Sequence, residues 1–278
     1  GAWKKGVATV PIDYSVQDRS ARLRPDAKKI MESLQEGGIA FEDYLMPRRL
    51  ERINTASAEL NRTVYEAAAE RLDAGHVVGL VGGDHSTPLG LIRALAEREP
   101  GMGVLHLDAH CDLRDAYEGF EFSHASIMFN VLRDVPQVTK IAQVAVRDFS
   151  ESEAALAASS GRIATFDDLS LAAALFRGET WDAQCRRIVD ALPQEVYVSF
   201  DIDALTFENC PHTGTPVSGG LTFNQAVWLL DTLTRSGRRI IGFDVVEVCP
   251  APDERIDAIT GARMLWKLCG QTLKSNES

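Results

Sequence analysis

Short apolar runs rich in Val and Ile recur along the chain, separated by longer stretches in which apolar residues return every three or four positions. The short runs read as buried parallel strands and the longer stretches as the helices that cross over between them. Strands are predicted over residues 6–12, 77–81, 103–107, 141–146, 195–200 and 239–245. Two helices stand out between them. Residues 57–74 carry Leu60, Val64, Ala68 and Leu72 on one face and stop at Gly75, a residue suited to a helix C-terminus. Residues 222–235 open with Thr222 and Gln225 in capping-box spacing, then run through Val227, Leu230, Leu233 and Thr234. The alternation of strand and helix predicts an α/β fold built on a parallel sheet.

No internal repeat, low-complexity tract or flexible linker divides the sequence, so residues 1–278 are expected to form one domain. The longest turn-rich stretch, residues 206–220, holds Pro211, Gly214, Pro216, Gly219 and Gly220 and follows a predicted strand directly. In parallel sheets ligands bind beyond the carboxyl ends of strands, so this loop reads as the wall of a site rather than a linker.

Candidate chemistry clusters at those same strand ends. Residues 77–81 run into Gly82-Gly83-Asp84-His85-Ser86, and residues 103–107 into Asp108-Ala109-His110-Cys111-Asp112. Residues 195–200 run into Asp201-Ile202-Asp203, and residues 239–245 into Val246-Glu247. Alternate side chains of an extended segment point the same way, so Asp108, His110 and Asp112 present three ligand groups to one side, as do Asp201 and Asp203. With His85 they make two imidazoles and four carboxylates, enough to hold two divalent cations that share bridging carboxylates. Mixed nitrogen and oxygen donors without thiolate suit manganese, and also zinc, cobalt, nickel or iron. Without a cation, four carboxylates at one site would repel one another and be driven to protonate.

Charge and cysteine content narrow the classes further. A net charge of −11 and no Lys/Arg run longer than a pair exclude a nucleic-acid partner and suit a small cationic substrate. Residues 1–18 mix short apolar stretches with charges, unlike a signal peptide, and no run has the roughly 18 apolar residues of a membrane span, so a cytoplasmic protein is expected. The five cysteines are scattered and form no C-x-x-C pair, the pattern of reduced thiols; Cys111, between two ligand candidates, reads as a small filler.

The ordered motifs resemble those of a known family. Gly-Gly-Asp-His-Ser at 82–86, Asp-Ala-His-Cys-Asp at 108–112, Ser-His-Ala-Ser at 123–126, Ser-Phe-Asp-Ile-Asp at 199–203, Gly-Thr-Pro at 214–216 with Gly-Gly-Leu at 219–221, and Asp-Val-Val-Glu-Val at 244–248 resemble the signatures of the arginase/agmatinase ureohydrolases. The resemblance spans nearly the whole chain. It implies a three-layer α/β sandwich with a mostly parallel sheet of about eight strands, a binuclear manganese centre, and trimers or hexamers. It also implies that His85, Asp108, His110, Asp112, Asp201 and Asp203 are the metal ligands, which agrees with the reading from the residues alone. By position it makes His124 a proton shuttle at the site mouth and Glu247 the carboxylate that holds the guanidinium, with Asp112 passing a proton to the leaving amine. Products would be urea and a primary amine.

Two features shape the expectation within the family. Asp-Leu-Arg-Asp at 112–115 followed by Phe-Ser-His at 122–124 is more similar to agmatinases than to arginases, which makes agmatine the expected substrate, with arginine, guanidinobutyrate, guanidinopropionate and formiminoglutamate as alternatives. Thr206-Phe207 stands where the family usually has Asp-Pro, so a contact beside the metals is lost or the loop is moved. Outside the family, a dinucleotide-binding oxidoreductase would share the strand–helix alternation, but no G-x-G-x-x-G follows the first strand. A catalytically silent regulatory relative would have lost ligands, and all six are present. Of the other histidines, His106 is placed to support Asp108 or to serve the core, His212 faces substrate or solvent, and His76 reads as structural.

Overall fold

The computed structural model describes residue 4 and residues 6–35, 45–249 and 251–277; of the opening stretch read above, residues 1–3 and 5 lie outside the described residues. In chain order the helices are α1 (Tyr14–Gln35), α2 (Met46–Asp73), α3 (Leu89–Arg98), α4 (Ile127–Asp134), α5 (Glu151–Ser159), α6 (Asp168–Phe176), α7 (Trp181–Asp190), α8 (Phe223–Arg235) and α9 (Ile256–Ser275). The strands are β1 (Val78–Val81), β2 (Gly103–Leu107), β3 (Lys140–Val144), β4 (Ile163–Phe166), β5 (Glu195–Asp201) and β6 (Arg239–Val246). They form one parallel sheet in the order β1-β6-β5-β2-β3-β4. Among the described residues the sheet thus has six strands, where the resemblance implies about eight.

Pleating sends alternate residues to opposite faces, and each face has its own core. Val104, Ile141, Tyr197 and Ile241 pack with Ala68 of α2, Leu91 and Ile92 of α3, and Met128 and Val131 of α4. Their neighbours Leu105, Ala142, Val198 and Ile240 pack with Ile188 of α7, Leu229 and Leu230 of α8, and Met264 and Leu268 of α9. Helices therefore cover both faces, giving the three layers expected. Each such side chain contributes about 1.5–3 kcal/mol when fully buried. The close crossing of α2 and α3 depends on Gly90, where a Cβ would collide with the Asn61 carbonyl and the Tyr65 amide.

The sequence reading is corrected at some elements. Residues 6–12 form no strand, and Val7, Val10 and Ile12 are exposed. An apolar run becomes a strand only where a neighbouring edge takes up its N–H and C=O groups, and no described strand pairs with this one. The helix expected over 57–74 is the C-terminal part of the longer α2. β3 ends at Val144 rather than 146, because Ala145 turns the chain off the ladder at φ 75°. Of the elements to which the pattern assigns no range, α1 has Ile30 as its one fully buried residue and so shows no continuous apolar stripe, and β4 is a short strand of half-buried and exposed side chains.

The chain runs outward from β2 to β3 and β4, then returns to lay β5 on the other side of β2 and continues to β6. Strand order reverses between β2 and β5, and the loops leaving their carboxyl ends part there to form a crevice.

Candidate metal centre

Five of the six candidate ligands leave from the two strands that flank this crevice. Asp108, His110 and Asp112 follow β2; Asp201 ends β5, and Asp203 sits in the single 3-10 turn Ile202–Ala204 behind it. His85 comes from the loop after β1 and Glu247 from the residue after β6.

The structure brings them together. His85 Nδ1 lies 2.9 Å from Asp108 Oδ2, 3.0 Å from Asp112 Oδ2 and 3.3 Å from Asp201 Oδ2. His110 Nδ1 lies 3.3 Å from Asp108 Oδ1 and 3.2 Å from Asp203 Oδ2. Asp108 therefore turns one oxygen to each imidazole and belongs to two donor groups: one with His85, His106 and Asp112, the other with His110 and Asp203. His85 and the four aspartates are buried, while His110 is half-buried. Two atoms in the cluster, His85 Nδ1 and Asp203 Oδ2, are buried with no hydrogen-bond partner. Buried polar atoms seldom go unsatisfied, and a nitrogen and an oxygen left so among carboxylates fit hard or borderline divalent cations.

The backbone is bent to the same purpose. Asp112 and Glu247 adopt φ of 54° and 59°, in the left-handed region that side chains other than glycine's rarely enter. The Asp112 carbonyl is held by the Met128 and Phe129 amides at the start of α4, both at 3.1 Å. The Glu247 amide donates to the Gly83 carbonyl at 2.9 Å, and the Glu247 carbonyl accepts from Thr213 Oγ1 at 3.0 Å. Glu247 Oε1 accepts the His85 amide at 2.8 Å, which leaves Oε2 toward the space beside Gly214.

Without a cation, protons take its place. Burial works against a charge on either imidazole, yet the carboxylates around them outweigh it, holding His85 well above its ordinary range and His110 at about 11. Burial raises Asp201 far above the usual carboxylate range, with Asp203 and Asp108 adding to it, and raises Asp112 as well. Burial also pushes Asp108 up, but His106, hydrogen-bonded beside it, and the neighbouring His110 and His85 imidazoles hold it well below. Glu247, removed from water, is pushed up to about 7.

The remaining candidates fall around this cluster. His124 opens a 3-10 turn ahead of α4, outside the donor groups, with its ring edge-on to Tyr117 at 5.6 Å. His106 is fully buried and binds Asp108 Oδ2 through Nε2 at 2.8 Å, while Gln143 Nε2 meets its Nδ1 at 3.3 Å. His212 is half-exposed and paired with the buried Asp257 at 2.8 Å. His76 is exposed and its amide donates to the Arg71 carbonyl where α2 ends. Thr206 and Phe207 start a 3-10 turn, Phe207–Asn209, that Asn209 Nδ2 ties back to Thr206 Oγ1 at 2.8 Å. Burial raises the Cys111 thiol, which suits a filler rather than a nucleophile.

Sequence reasoning missed several supporting groups. Arg147 reaches under the crevice to the carbonyls of Asp203 at 2.7 Å, Ala145 and Val217 at 3.0 Å, and Leu205 at 3.3 Å, yet it belongs to no motif. Glu153 of α5 accepts the Leu113 amide at 3.2 Å and pairs with Arg114 at 2.9 Å. Ser199 and Asp244 lay inside quoted motifs. Ser199 shares the strand face of Asp201, which was the available signal.

A parallel sheet whose switch point gathers two imidazoles and four carboxylates makes a candidate centre for divalent cations, and comparison with known proteins names the class. The family model described as Arginase family matches residues 6–270. The N(1)-aminopropylagmatine ureohydrolase of Thermus thermophilus is 30% identical over 95% of this chain and 89% of its own. The guanidinopropionase of Pseudomonas aeruginosa is 35% identical over 96% of this chain and 86% of its own. Among solved structures, the proclavaminate amidino hydrolase of Streptomyces clavuligerus matches with a TM-score of 0.67 at 25% identity, covering 78% of this chain and 70% of that one. The chain belongs to the arginase family, whose members hydrolyse carbon–nitrogen bonds of guanidino groups. Among the described residues no helix is long and apolar enough to cross a membrane.

Proposed function

We propose that this protein is a two-cation ureohydrolase that splits agmatine into putrescine and urea, with manganese as its metal. The observation that carries the two-cation reading is the pair of donor groups meeting on Asp108, with His85 Nδ1 and Asp203 Oδ2 buried and unpartnered among them. His85, Asp108, Asp112 and Asp201 would hold one cation; His110, Asp108, Asp201 and Asp203 would hold the other. When bound, the cations would lower the pKa of coordinated water, so that hydroxide would be available at neutral pH.

The chain's own residues supply the rest. Glu247 Oε2 takes the guanidinium through charge-assisted hydrogen bonds and sets its carbon over the cluster. Asp112, in its left-handed turn, accepts the proton released from water and delivers it to the departing amine nitrogen. His124, half-buried on the turn before α4, exchanges protons between that nitrogen and solvent. Asp84 raises Glu247 further by its charge, so the approach to Glu247 is acidic and favours a substrate whose tail is an ammonium group. The guanidinopropionase likeness favours a second reading, a guanidino acid, whose carboxylate tail would meet that same repulsion.

Urea release from the manganese-loaded protein distinguishes them. Agmatine, arginine, guanidinobutyrate, guanidinopropionate and formiminoglutamate are each offered, with formamide assayed for the last and Asp112→Asn as control. Turnover of agmatine alone, lost in the variant, supports the proposal; turnover of a guanidino acid in its place replaces the substrate, and no turnover with metal bound favours a silent relative.

A further inference from the structure

Leu169 and Phe176 are the two most exposed large apolar side chains among the described residues, at 77% and 86%, and both stand on α6. The helix is held firmly at both ends. Asp167 accepts the Ser170 amide at 2.9 Å, Asp168 Oδ1 accepts the Gly220 amide of the crevice loop at 3.2 Å, and the Arg177 amide closes the last turn on the Ala173 carbonyl at 3.1 Å. Leu171 and Ala174 are buried and fix the inward side. At about 100° per residue, Leu169, Ala172, Ala173 and Phe176 then share the opposite side, at the i, i+3, i+4, i+7 spacing of a face that packs on another helix. A rigid apolar stripe left in water marks a contact surface, and docking it orders nothing new.

The order of residues along the stripe points to the partner. From either end it runs charge, bulky apolar, two alanines, bulky apolar, charge: Asp168, Leu169, Ala172, Ala173, Phe176, Arg177. A two-fold axis between Ala172 and Ala173 lays a second copy of α6 antiparallel on the first. Leu169 then meets the partner's Phe176, and the alanines at the crossing let the backbones approach. The ends complement as well. The acidic start, with Asp167 and Asp168, comes to the basic end at Arg177, and the antiparallel helix dipoles agree with that pairing. A parallel copy would instead bring like charges together at both ends. Two carboxylates at one end of the stripe likewise oppose an anionic membrane surface.

We propose that the outer face of α6 is a self-complementary, two-fold docking surface for a second copy of this chain, with Leu169 and Phe176 as its anchors. It stands independently of the reaction assigned above. Only a face complementary to itself closes a two-fold pair, and hydrophobicity alone would not make α6 one.

The test weighs the full chain by sedimentation velocity and multi-angle light scattering over a concentration series. Any assembly built through this two-fold falls to half its mass when the contact is lost. Phe176→Glu and Leu169→Lys, each at an exposed position, should cause that halving by weakening association about 30-fold or more, the scale of an interface anchor. Circular dichroism should be unchanged. Ala173→Cys sets two thiols across the axis within disulfide reach, so its oxidation should give a covalent dimer on non-reducing gels. Cys249 is exposed, and the wild type oxidised in parallel sets the background. Adding Phe176→Glu to Ala173→Cys should abolish the cross-link. Wild-type mass in both charge variants, or no cross-linking of Ala173→Cys above that background, overturns the proposal. A wild type that stays monomeric at every concentration also overturns it, and leaves the face to a partner of another kind.

Discussion

At the scale of single residues, Glu247 combines a left-handed backbone, an anchored Oε1 and a free Oε2, and loses its charge-assisted bonds to a guanidinium when its charge is removed. Glu247→Gln should lower kcat/KM by roughly 10–150-fold, the equivalent of about 1.5–3 kcal/mol for a hydrogen bond to a charged group. Circular dichroism and bound manganese should be unchanged. Wild-type turnover in this variant would remove Glu247 from the site. The thiols divide just as sharply. Burial raises Cys111, and pushes Cys185 and Cys210 up to about 12, whereas Cys249 is exposed. Alkylation of the native protein near neutral pH should therefore modify Cys249 first, with those three protected until unfolding; peptide mass spectrometry reads the order, and early labelling of Cys111 would contradict its role as a filler. The ligand candidates were legible because D-x-H-x-D and D-x-D put donors on one side of an extended chain. Arg147 was not, because its role comes from carbonyls supplied by other segments.

At the scale of elements, the strands with apolar runs and the helices with a single apolar face could be read directly, since burial writes its period into the sequence. The run at 6–12 carries the same signal without a pairing neighbour among the described residues, and α1 is a helix whose exposed faces hide it. Strand pairing and solvent exposure are relations between segments, and no local pattern encodes them. The crevice loop shows the same dependence. Leu205 bridges to Leu221, and the loop between them is fastened by Arg147 through the carbonyls of Asp203, Leu205 and Val217. Arg147→Met keeps the length but abandons these acceptors, which costs about 1–3 kcal/mol for buried polar groups left unpaired. A drop of roughly 3–10 °C in Tm is expected, together with a rise in KM as the loop loses its hold beside Gly214. A variant with unchanged Tm and KM would show that the loop stands without Arg147.

At the scale of the whole molecule, protons and cations compete for one set of ligands, which ties stability to pH with a definite sign. In the metal-free protein His110 is held at about 11 against an unfolded value near 6.5, and Asp201 is raised well above its own. A group whose folded pKa is raised contributes stability that is complete below its unfolded pKa and lost as pH climbs through the folded value. The metal-free protein should therefore lose stability as pH rises from about 6.5 toward 11. Cations need His85 and His110 deprotonated, so loading releases protons and tightens over the same interval. Stabilisation by a ligand at a hundred times its Kd is about 2.7 kcal/mol per site, or roughly 5–10 °C in a chain of this size. Differential scanning calorimetry of chelator-stripped and manganese-loaded protein between pH 6 and 9 should show the gap in Tm widening with pH. Isothermal titration of manganese in buffers of different ionisation enthalpy should show net proton release near pH 7. A gap that is flat or narrows, with no proton release, would mean that the buried cluster holds no protons for a cation to displace.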